Sequence, residues 1–337
     1  MRPAVQPLRE VEGISADQAH AYLAGEDQPL VLRGLVADWP LVAAARESAA
    51  QAAAYLRQFD SGDPVTAYLG ESDTHGRIFY NKDLSATNFT PARVGLGQVL
   101  DRLLAHVDDP QPPTIYVGSS SIDLCLPGLS AHNRLPEGDY RASVRIWIGN
   151  RTRVSAHYDA LENIACVCAG RRRFTLFPPD QLANLYVGPM DLTPAGQQIS
   201  LVDFEQPDFE RHPRYAEALQ HARSAILEPG DAIYVPSMWW HQVDGLDPFN
   251  ILINHWWREV PEHMGAPNDA LLLAILNIRD LPAPQRRAWQ GLFKHYVFNA
   301  DEHTVAHIPE HSRGVLGRLD EDTARRLRTL LRNKLNR

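Results

Sequence analysis

Residues 224–241 read SAILEPGDAIYVPSMWWH, in which two runs rich in β-formers flank the dipeptide Pro229-Gly230. Such runs favour strands, and Pro followed by Gly suits the two central positions of a type II turn. Further short strands are predicted on either side of this stretch, over residues 114–120, 144–149, 172–177 and 250–257. Five or more short strands separated by turn residues are typical of an antiparallel barrel or sandwich.

The two flanks of this β region have a different character. Toward the N-terminus, helices are predicted over residues 15–23, 41–59 and 94–107, and strands over 30–36, 65–69 and 77–81. After Pro261 the strand signals stop, and helices are predicted over residues 268–279, 284–296 and 321–335. We therefore predict a domain over residues 1–262, with its β core over about 114–258, and a helical segment over 263–337.

The composition is that of a soluble globular protein. The chain has 337 residues, 44% hydrophobic and 22% charged, and a net charge of −8. No run of about 18 apolar residues is present, and the first residues lack an apolar stretch, so neither a membrane span nor a secretory signal is expected. The three cysteines cannot form a disulfide framework. The acidic balance argues against a nucleic-acid partner, and a cytoplasmic location is expected.

Two histidines are candidates for a metal site. The sequence contains two H-x-D triplets, about as many as its 14 histidines and 41 acidic residues produce by chance. The triplet at His106 ends a predicted helix, where a histidine is ordinary. The triplet of His157 and Asp159 follows a strand, and residues i and i+2 of a strand share a face. His241, directly after the strand AIYVPSMWW, can complete the two-His, one-carboxylate set of non-haem Fe(II) oxygenases. Two satisfied core histidines are the alternative.

Five sequence stretches resemble a known family, the JmjC and cupin-like Fe(II)/2-oxoglutarate oxygenases. The stretches are AHYDALEN (156–163), FTLFPPDQ (174–181), VDFEQPDFERHP (202–213), PGDAIYVPSMWWH (229–241) and NHWW (254–257). They keep the family's order from residue 114 to residue 258. The resemblance implies a mainly β fold, a double-stranded β-helix of the jelly-roll or cupin type, with an N-terminal α/β flank and a C-terminal helical segment.

The resemblance also implies a chemistry and its residues. Fe(II) is expected on His157, Asp159 and His241, with 2-oxoglutarate and O2 as co-substrates of a C–H hydroxylation. The implied 2-oxoglutarate pocket consists of Tyr116, Asn163, Arg172 and Asn254. An arginine is well suited to this pocket because its guanidinium can grip a carboxylate with two parallel hydrogen bonds.

The chain departs from the asparaginyl hydroxylases of this family at three positions. Those enzymes have lysine at the position of Arg172 and threonine at that of Val154. The loss of this hydroxyl should weaken one co-substrate contact unless Ser155 replaces it. Their amide-binding glutamine falls near Ile199, which argues against asparagine hydroxylation. A protein or peptide side chain is the expected substrate, and a small molecule or a tRNA is the alternative.

Two other classes of protein stay open on the same scaffold. One is a cupin metalloenzyme that does not use 2-oxoglutarate, against which Arg172 and Asn254 argue. The other is a non-catalytic binding protein, against which the complete triad argues. Trp239, Trp240, Trp256 and Trp257 flank His241 and the last strand, and some of them are expected to wall the active-site mouth. Alternation allows only about half of them to face inward, and the alternative is that most of them are core residues.

The predicted helix over residues 268–279 is apolar around nearly its whole circumference. Large apolar residues stand at positions 271, 272, 273, 275, 276 and 278, whereas a surface helix needs only one apolar stripe. The next helix offers Trp289, Leu292, Phe293 and Val297, which could cover part of it within one chain. We predict instead a homodimer formed by the C-terminal helices, as the resemblance also implies.

Overall fold

The computed structural model of the protein describes residues 5–136, 141–194 and 196–336. The chain divides into two compact units, Met1–Arg258 and Glu259–Arg337. The division lies a few residues before the boundary predicted after residue 262. None of the helices in the described ranges has the length and hydropathy needed to cross a bilayer.

The first unit contains fifteen strands within the described residues. They are β1 (Gln6–Pro7), β2 (Arg9–Glu12), β3 (Leu30–Arg33), β4 (Val65–Gly70), β5 (Arg77–Ile78), β6 (Thr90–Val94), β7 (Thr114–Ser121), β8 (Ser143–Gly149), β9 (Arg153–His157), β10 (Glu162–Ala169), β11 (Arg172–Phe177), β12 (Arg223–Leu227), β13 (Ala232–Val235), β14 (Trp240–Gly245) and β15 (Asn250–Trp257). They form a six-stranded sheet in the order β1-β12-β11-β14-β9-β5 and a nine-stranded sheet in the order β2-β3-β13-β10-β15-β8-β7-β4-β6.

Strands β8 to β15 form a double-stranded β-helix, which confirms the predicted fold. Each sheet receives four of these strands, and they pair antiparallel with their neighbours in the sheet. The predicted turn at Pro229-Gly230 joins β12 to β13. Gly230 has φ 109°, and the Asp231 N–H donates to the Glu228 carbonyl at 3.0 Å. Both features are those of a type II turn.

Helices cover the outer face of the nine-stranded sheet. The helices of the first unit are α1 (Ala19–Leu23), α2 (Pro40–Glu47), α3 (Ala49–Arg57), α4 (Leu96–Ala105), α5 (Ile122–Cys125) and α6 (Tyr215–His221), with 3-10 turns at Ala16–Gln18, Ser72–Thr74, Leu129–Ala131 and Pro179–Asn184. The largest core packs α2, α3 and α4 against this sheet. Because β10 lies between α2 and the six-stranded sheet, its residues are buried on both faces.

The predicted helix over residues 41–59 is two helices. Ser48 separates α2 from α3 with an extended backbone at φ −171° and ψ 163°, and its hydroxyl accepts a hydrogen bond from the Gln51 N–H. A serine in this position caps the start of a new helix. High helix propensity on both sides therefore did not produce one continuous helix.

A close backbone approach attaches β5 to the edge of the six-stranded sheet. Gly76 accepts a 2.7 Å hydrogen bond from the Arg153 N–H, and its φ of 76° is in the left-handed region. A Cβ at Gly76 would lie 2.0 Å from the Arg151 carbonyl oxygen, so only glycine fits here. This approach sets Ile78 beside Val154.

The second unit is helical in its described residues. It contains α7 (Pro267–Asn277), α8 (Ala283–Phe293), α9 (Glu302–Val305) and α10 (Glu321–Leu335), a π-helical turn at Lys294–Phe298 and 3-10 turns at Glu310–Ser312 and Gly314–Leu316. Asp320 caps α10 by accepting from the Thr323 N–H at 2.8 Å. An apolar groove between α7 and α10 is lined by Leu272, Leu273, Leu276, Leu327, Leu331 and Leu335.

Candidate active site

Two histidines face each other on neighbouring strands of the six-stranded sheet. His157 is the last residue of β9, His241 is the second residue of β14, and the two are register partners. Their ring centroids are 4.4 Å apart. His241 was predicted to follow a strand but lies inside one. The earlier strand ends at Val235 because Pro236 has no N–H for the ladder, and Met238 turns the chain with φ 69°.

Asp159 joins the two histidines from a loop. Since β9 ends at His157, Asp159 is not on the strand. The two side chains come together as predicted, but the predicted cause, a shared strand face, was wrong. The Asp159 carbonyl accepts from the Met238 N–H at 2.8 Å, which ties this loop to the turn before β14. The Asp159 Oδ2 atom lies 3.6 Å from His241 Nε2, and candidate ligand atoms of all three residues lie within 4.8 Å of one another.

Hydrogen bonds orient both imidazoles. His157 Nδ1 lies 3.0 Å from the Ser155 carbonyl oxygen, and His241 Nδ1 lies 2.9 Å from that of Trp239. A nitrogen facing a carbonyl carries the proton, so the Nε2 atom of each ring keeps its lone pair for a metal. Burial, helped by the neighbouring His157, lowers the pKa of His241 to about 4. Two neutral imidazoles and one carboxylate could hold Fe(II) and leave positions for other ligands.

A bulge in β9 brings Val154 and His157 to the same cavity. Val154 pairs with Val243 while His157 pairs with His241, so β9 has one residue more than β14 between these pairs. Such a bulge re-aims side chains, and both Val154 and His157 line the cavity. The hydroxyl of Ser155 donates to the Ile78 carbonyl at 3.3 Å and does not replace the hydroxyl absent at Val154.

Arg172 is a buried cation on the wall of the same cavity. It opens β11, is 3% exposed, and its Nε and Nη2 atoms have no hydrogen-bond partner within the described residues. Burial lowers the pKa of this guanidinium. An unpaired buried arginine is costly, and its planar fork matches a carboxylate. The site therefore fits a ligand that carries a carboxylate.

Tyr116 and the two asparagines lie on the nine-stranded sheet and line the cavity as well. Burial raises the pKa of Tyr116 although the charge of Arg172 opposes this, so the phenol keeps its proton and can donate. Asn254 Nδ2 donates to Asn163 Oδ1 at 3.3 Å. The structure thus brings all seven predicted residues together around one cavity of about 140 Å³ that opens to solvent.

Aromatic residues form much of the remaining wall. Of the four tryptophans predicted near the mouth, Trp256 lines the cavity, whereas Trp239, Trp240 and Trp257 are buried in three different parts of the core. Trp147 and Tyr68 line it without having been predicted. Trp147 lies in the alternating strand VRIWIG. The alternation alone does not tell which face of this strand is turned to the cavity, because that depends on the pairing of β8 with β15.

The remaining candidates lie away from this cavity. Ile199 is buried, with 1% exposure, and is absent from the lining. His106 follows the last residue of α4, and its Nδ1 atom lies 3.0 Å from Asp109 Oδ2. His106 thus has a local partner, which is not the Asp108 of the H-x-D triplet.

Comparison with known protein families gives one match to a family model. The model, described as a cupin-like domain, matches residues 16–263. This range includes strands β8 to β15 and every residue of the site described above. It ends close to the boundary between the two units.

Three similar relatives have names that indicate different activities or partners. The lysine-specific demethylase JMJ31 of Arabidopsis thaliana is 34% identical over 129 residues, which is 36% of this chain and 23% of the relative. The human HSPB1-associated protein 1 is 31% identical over 150 residues, 43% of this chain and 30% of the relative. The tRNA wybutosine-synthesizing protein 5 of Gallus gallus is 31% identical over 105 residues, 31% and 30% of the two chains. The chain therefore spans less than a third of each relative.

Proposed function

The chain belongs to the cupin-like domain family, with JmjC-type oxygenases among its relatives, and from that premise we propose that it is an Fe(II)- and 2-oxoglutarate-dependent hydroxylase. The observation that carries the proposal is the buried guanidinium of Arg172, unpaired within the described residues, on the same cavity as the triad. A cupin metalloenzyme without a dicarboxylate co-substrate has no use for this cation. A metal-binding protein without catalysis has no use for it either.

Each residue of the site has a distinct part in this function. His157, Asp159 and His241 would hold Fe(II), which with bound 2-oxoglutarate and O2 supplies the oxidising power for a C–H hydroxylation. Arg172 would bind the distal carboxylate of 2-oxoglutarate, and the Tyr116 hydroxyl would donate to it. Asn163 and Asn254 would face the end of the co-substrate nearer the metal. The aromatic wall limits the access of water to the reacting groups.

A protein or peptide side chain is the proposed substrate. In support, one relative is named a lysine-specific demethylase, and the net charge of −8 disfavours a polyanionic partner. A tRNA base is the second candidate, because two relatives carry the name tRNA wybutosine-synthesizing protein 5. Small metabolites are a further alternative.

The test of this function has two readouts. The Fe(II)-loaded chain is incubated with isotopically labelled 2-oxoglutarate, and succinate is measured. Proteins captured by the Mn(II)-loaded chain from a lysate are then treated with the Fe(II)-loaded enzyme, and their peptides are searched for the mass gain of one oxygen atom. The absence of succinate would contradict the co-substrate. Modification only of tRNA, free amino acids or lipids would contradict the protein substrate.

We further propose that the second unit forms a homodimer. In support, α7 and α8 expose large apolar side chains: Leu276 is 73% exposed, and Leu271, Leu272, Trp289 and Leu292 are each between 44% and 47% exposed. The apolar groove between α7 and α10 continues this surface. A two-fold axis would bury the same apolar surface of each copy against the other.

The dimer predicts a change of mass on substitution. We expect light scattering at micromolar concentration to give about twice 37.8 kDa for the wild type. The double variant Leu272→Arg, Leu276→Arg should give the mass of one chain, because two buried charges in an apolar interface are strongly unfavourable. Leu124→Arg alters another exposed leucine, in the first unit, and should leave the dimer intact. A wild-type mass near 37.8 kDa would contradict the proposal.

A further inference from the structure

Three polar side chains form a diagonal row across adjacent strands β8, β15 and β10. Trp147 is the register partner of Leu252, while Asn254, two residues further along β15, is the diagonal neighbour of Trp147. Asn254 pairs with Ala165, and Asn163 is its diagonal neighbour on β10. Trp147, Asn254 and Asn163 all line the cavity, and diagonal neighbours of this kind are within reach of long side chains.

The indole determines the orientation of both amides. Trp147 Nε1 donates to Asn254 Oδ1 at 2.8 Å. Because an indole N–H can only donate, the oxygen of Asn254 must face it. The Nδ2 group of Asn254 then faces Asn163 at 3.3 Å, where only Oδ1 can accept. Both amides are thus held in one of their two flip states by a group that cannot reverse its polarity.

The row of hydrogen bonds ends at Asn163 with a group that can only donate. With its oxygen occupied by Asn254, Asn163 has its Nδ2 group left, and no acceptor for it is found among the described residues. Asn163 is 5% exposed, so this group has little access to bulk water. A donor on the wall of a cavity that holds a metal triad and a buried arginine suits an oxygen of an anionic ligand.

Resting on the proposed function, we propose that Trp147 is a positioning residue for 2-oxoglutarate. Through Asn254, its indole N–H holds the Asn163 amide with Nδ2 toward the co-substrate. Without this N–H, Asn254 and Asn163 can flip together, and the Asn163 oxygen then faces the anion. The flipped state repels the ligand, so the affinity falls although neither amide has been changed.

Trp147 also packs in the cavity wall, and this role must be separated from the hydrogen bond. Its ring lies 6.1 Å from that of Tyr116 in a stacked arrangement and 5.8 Å from that of Trp256 in an edge contact. Trp147→Phe keeps an aromatic ring and removes the N–H. Asn254→Leu keeps a similar volume and removes the amide that links Trp147 to Asn163.

The test measures 2-oxoglutarate binding by calorimetry on the Mn(II)-loaded chain. This measurement does not depend on turnover. We expect Trp147→Phe to raise the Kd about five- to tenfold, the loss of roughly one hydrogen bond. In the Asn254→Leu background, Trp147→Phe should have almost no further effect, because both changes break the same row. Trp39→Phe makes the same change in the largest core, at a residue that does not line the cavity, and should leave the Kd within about twofold.

The possible outcomes are distinct. Unchanged affinity in Trp147→Phe would overturn the positioning role while the proposed function stood. Additive losses in the double variant would overturn it too, since they would mean that Trp147 acts through packing. If Trp147→Phe does not fold, Asn254→Leu alone decides. Normal 2-oxoglutarate affinity in that variant would show that the hydrogen-bonded row does not position the co-substrate, and would overturn the proposal. A wild type that does not bind 2-oxoglutarate would instead overturn the proposed function, and this inference with it.

Discussion

Replacing Arg172 by methionine should weaken 2-oxoglutarate binding about 100-fold or more and at the same time stabilise the ligand-free protein. In the ligand-free chain, Arg172 is buried and its Nε and Nη2 atoms are unpaired within the described residues. Replacing buried ionic groups by well-packed apolar side chains of similar volume is often neutral or stabilises a protein by about 1–4 kcal/mol, and Arg172 lacks even the ion-pair partner. When 2-oxoglutarate is present, the same change leaves a buried carboxylate without its cation. We expect the Kd to rise about 100-fold or more.

Calorimetry on the Mn(II)-loaded chain measures the affinity, and thermal unfolding without ligand measures the stability. The midpoint temperature of Arg172→Met should lie a few degrees above that of the wild type, and added 2-oxoglutarate should no longer raise it. Arg171→Met is the matched control, because Arg171 is an exposed neighbour paired with Asp247 at 2.8 Å. It should leave the affinity unchanged. Normal 2-oxoglutarate affinity in Arg172→Met would place the co-substrate elsewhere.

The strands that sequence predicts well are those with turn chemistry at their ends. The prediction over residues 172–177 matches β11, that over 250–257 matches β15, and the Pro229-Gly230 turn is found where expected. No strand is predicted over residues 162–169, although they form β10. Its sequence ENIACVCA is almost continuously apolar because both faces are buried, and such a run lacks the alternation that marks a strand.

The site residues were predicted because five stretches of the sequence, in order, resemble a known family. Residue type alone would not have selected them, since H-x-D triplets occur about as often as chance produces. Trp147 could not be predicted from the sequence, because its contact with Asn254 depends on the strand register that places the two residues diagonally. The bulge in β9 is equally invisible in the sequence, yet it decides that Val154 rather than Ser155 faces the cavity.

Loss of any one member of the triad should remove metal binding. His157, Asp159 and His241 each offer one ligand atom, and a site that keeps two of three ligands loses both affinity and geometry. Changing a group that merely orients a ligand already lowers metal affinity by about 10- to 100-fold. We therefore expect His241→Ala and Asp159→Ala to lower Mn(II) affinity by more than about 100-fold.

Electron paramagnetic resonance of Mn(II) distinguishes bound from free ion and measures this loss directly. His106→Ala is the matched control, because His106 begins the other H-x-D triplet but contacts Asp109 at the end of α4. The control should bind Mn(II) like the wild type. Wild-type affinity in Asp159→Ala would show that the carboxylate, which comes from a loop and not from a strand, is not a ligand. In that case only His157 and His241, which the six-stranded sheet provides, would remain as ligands of the triad.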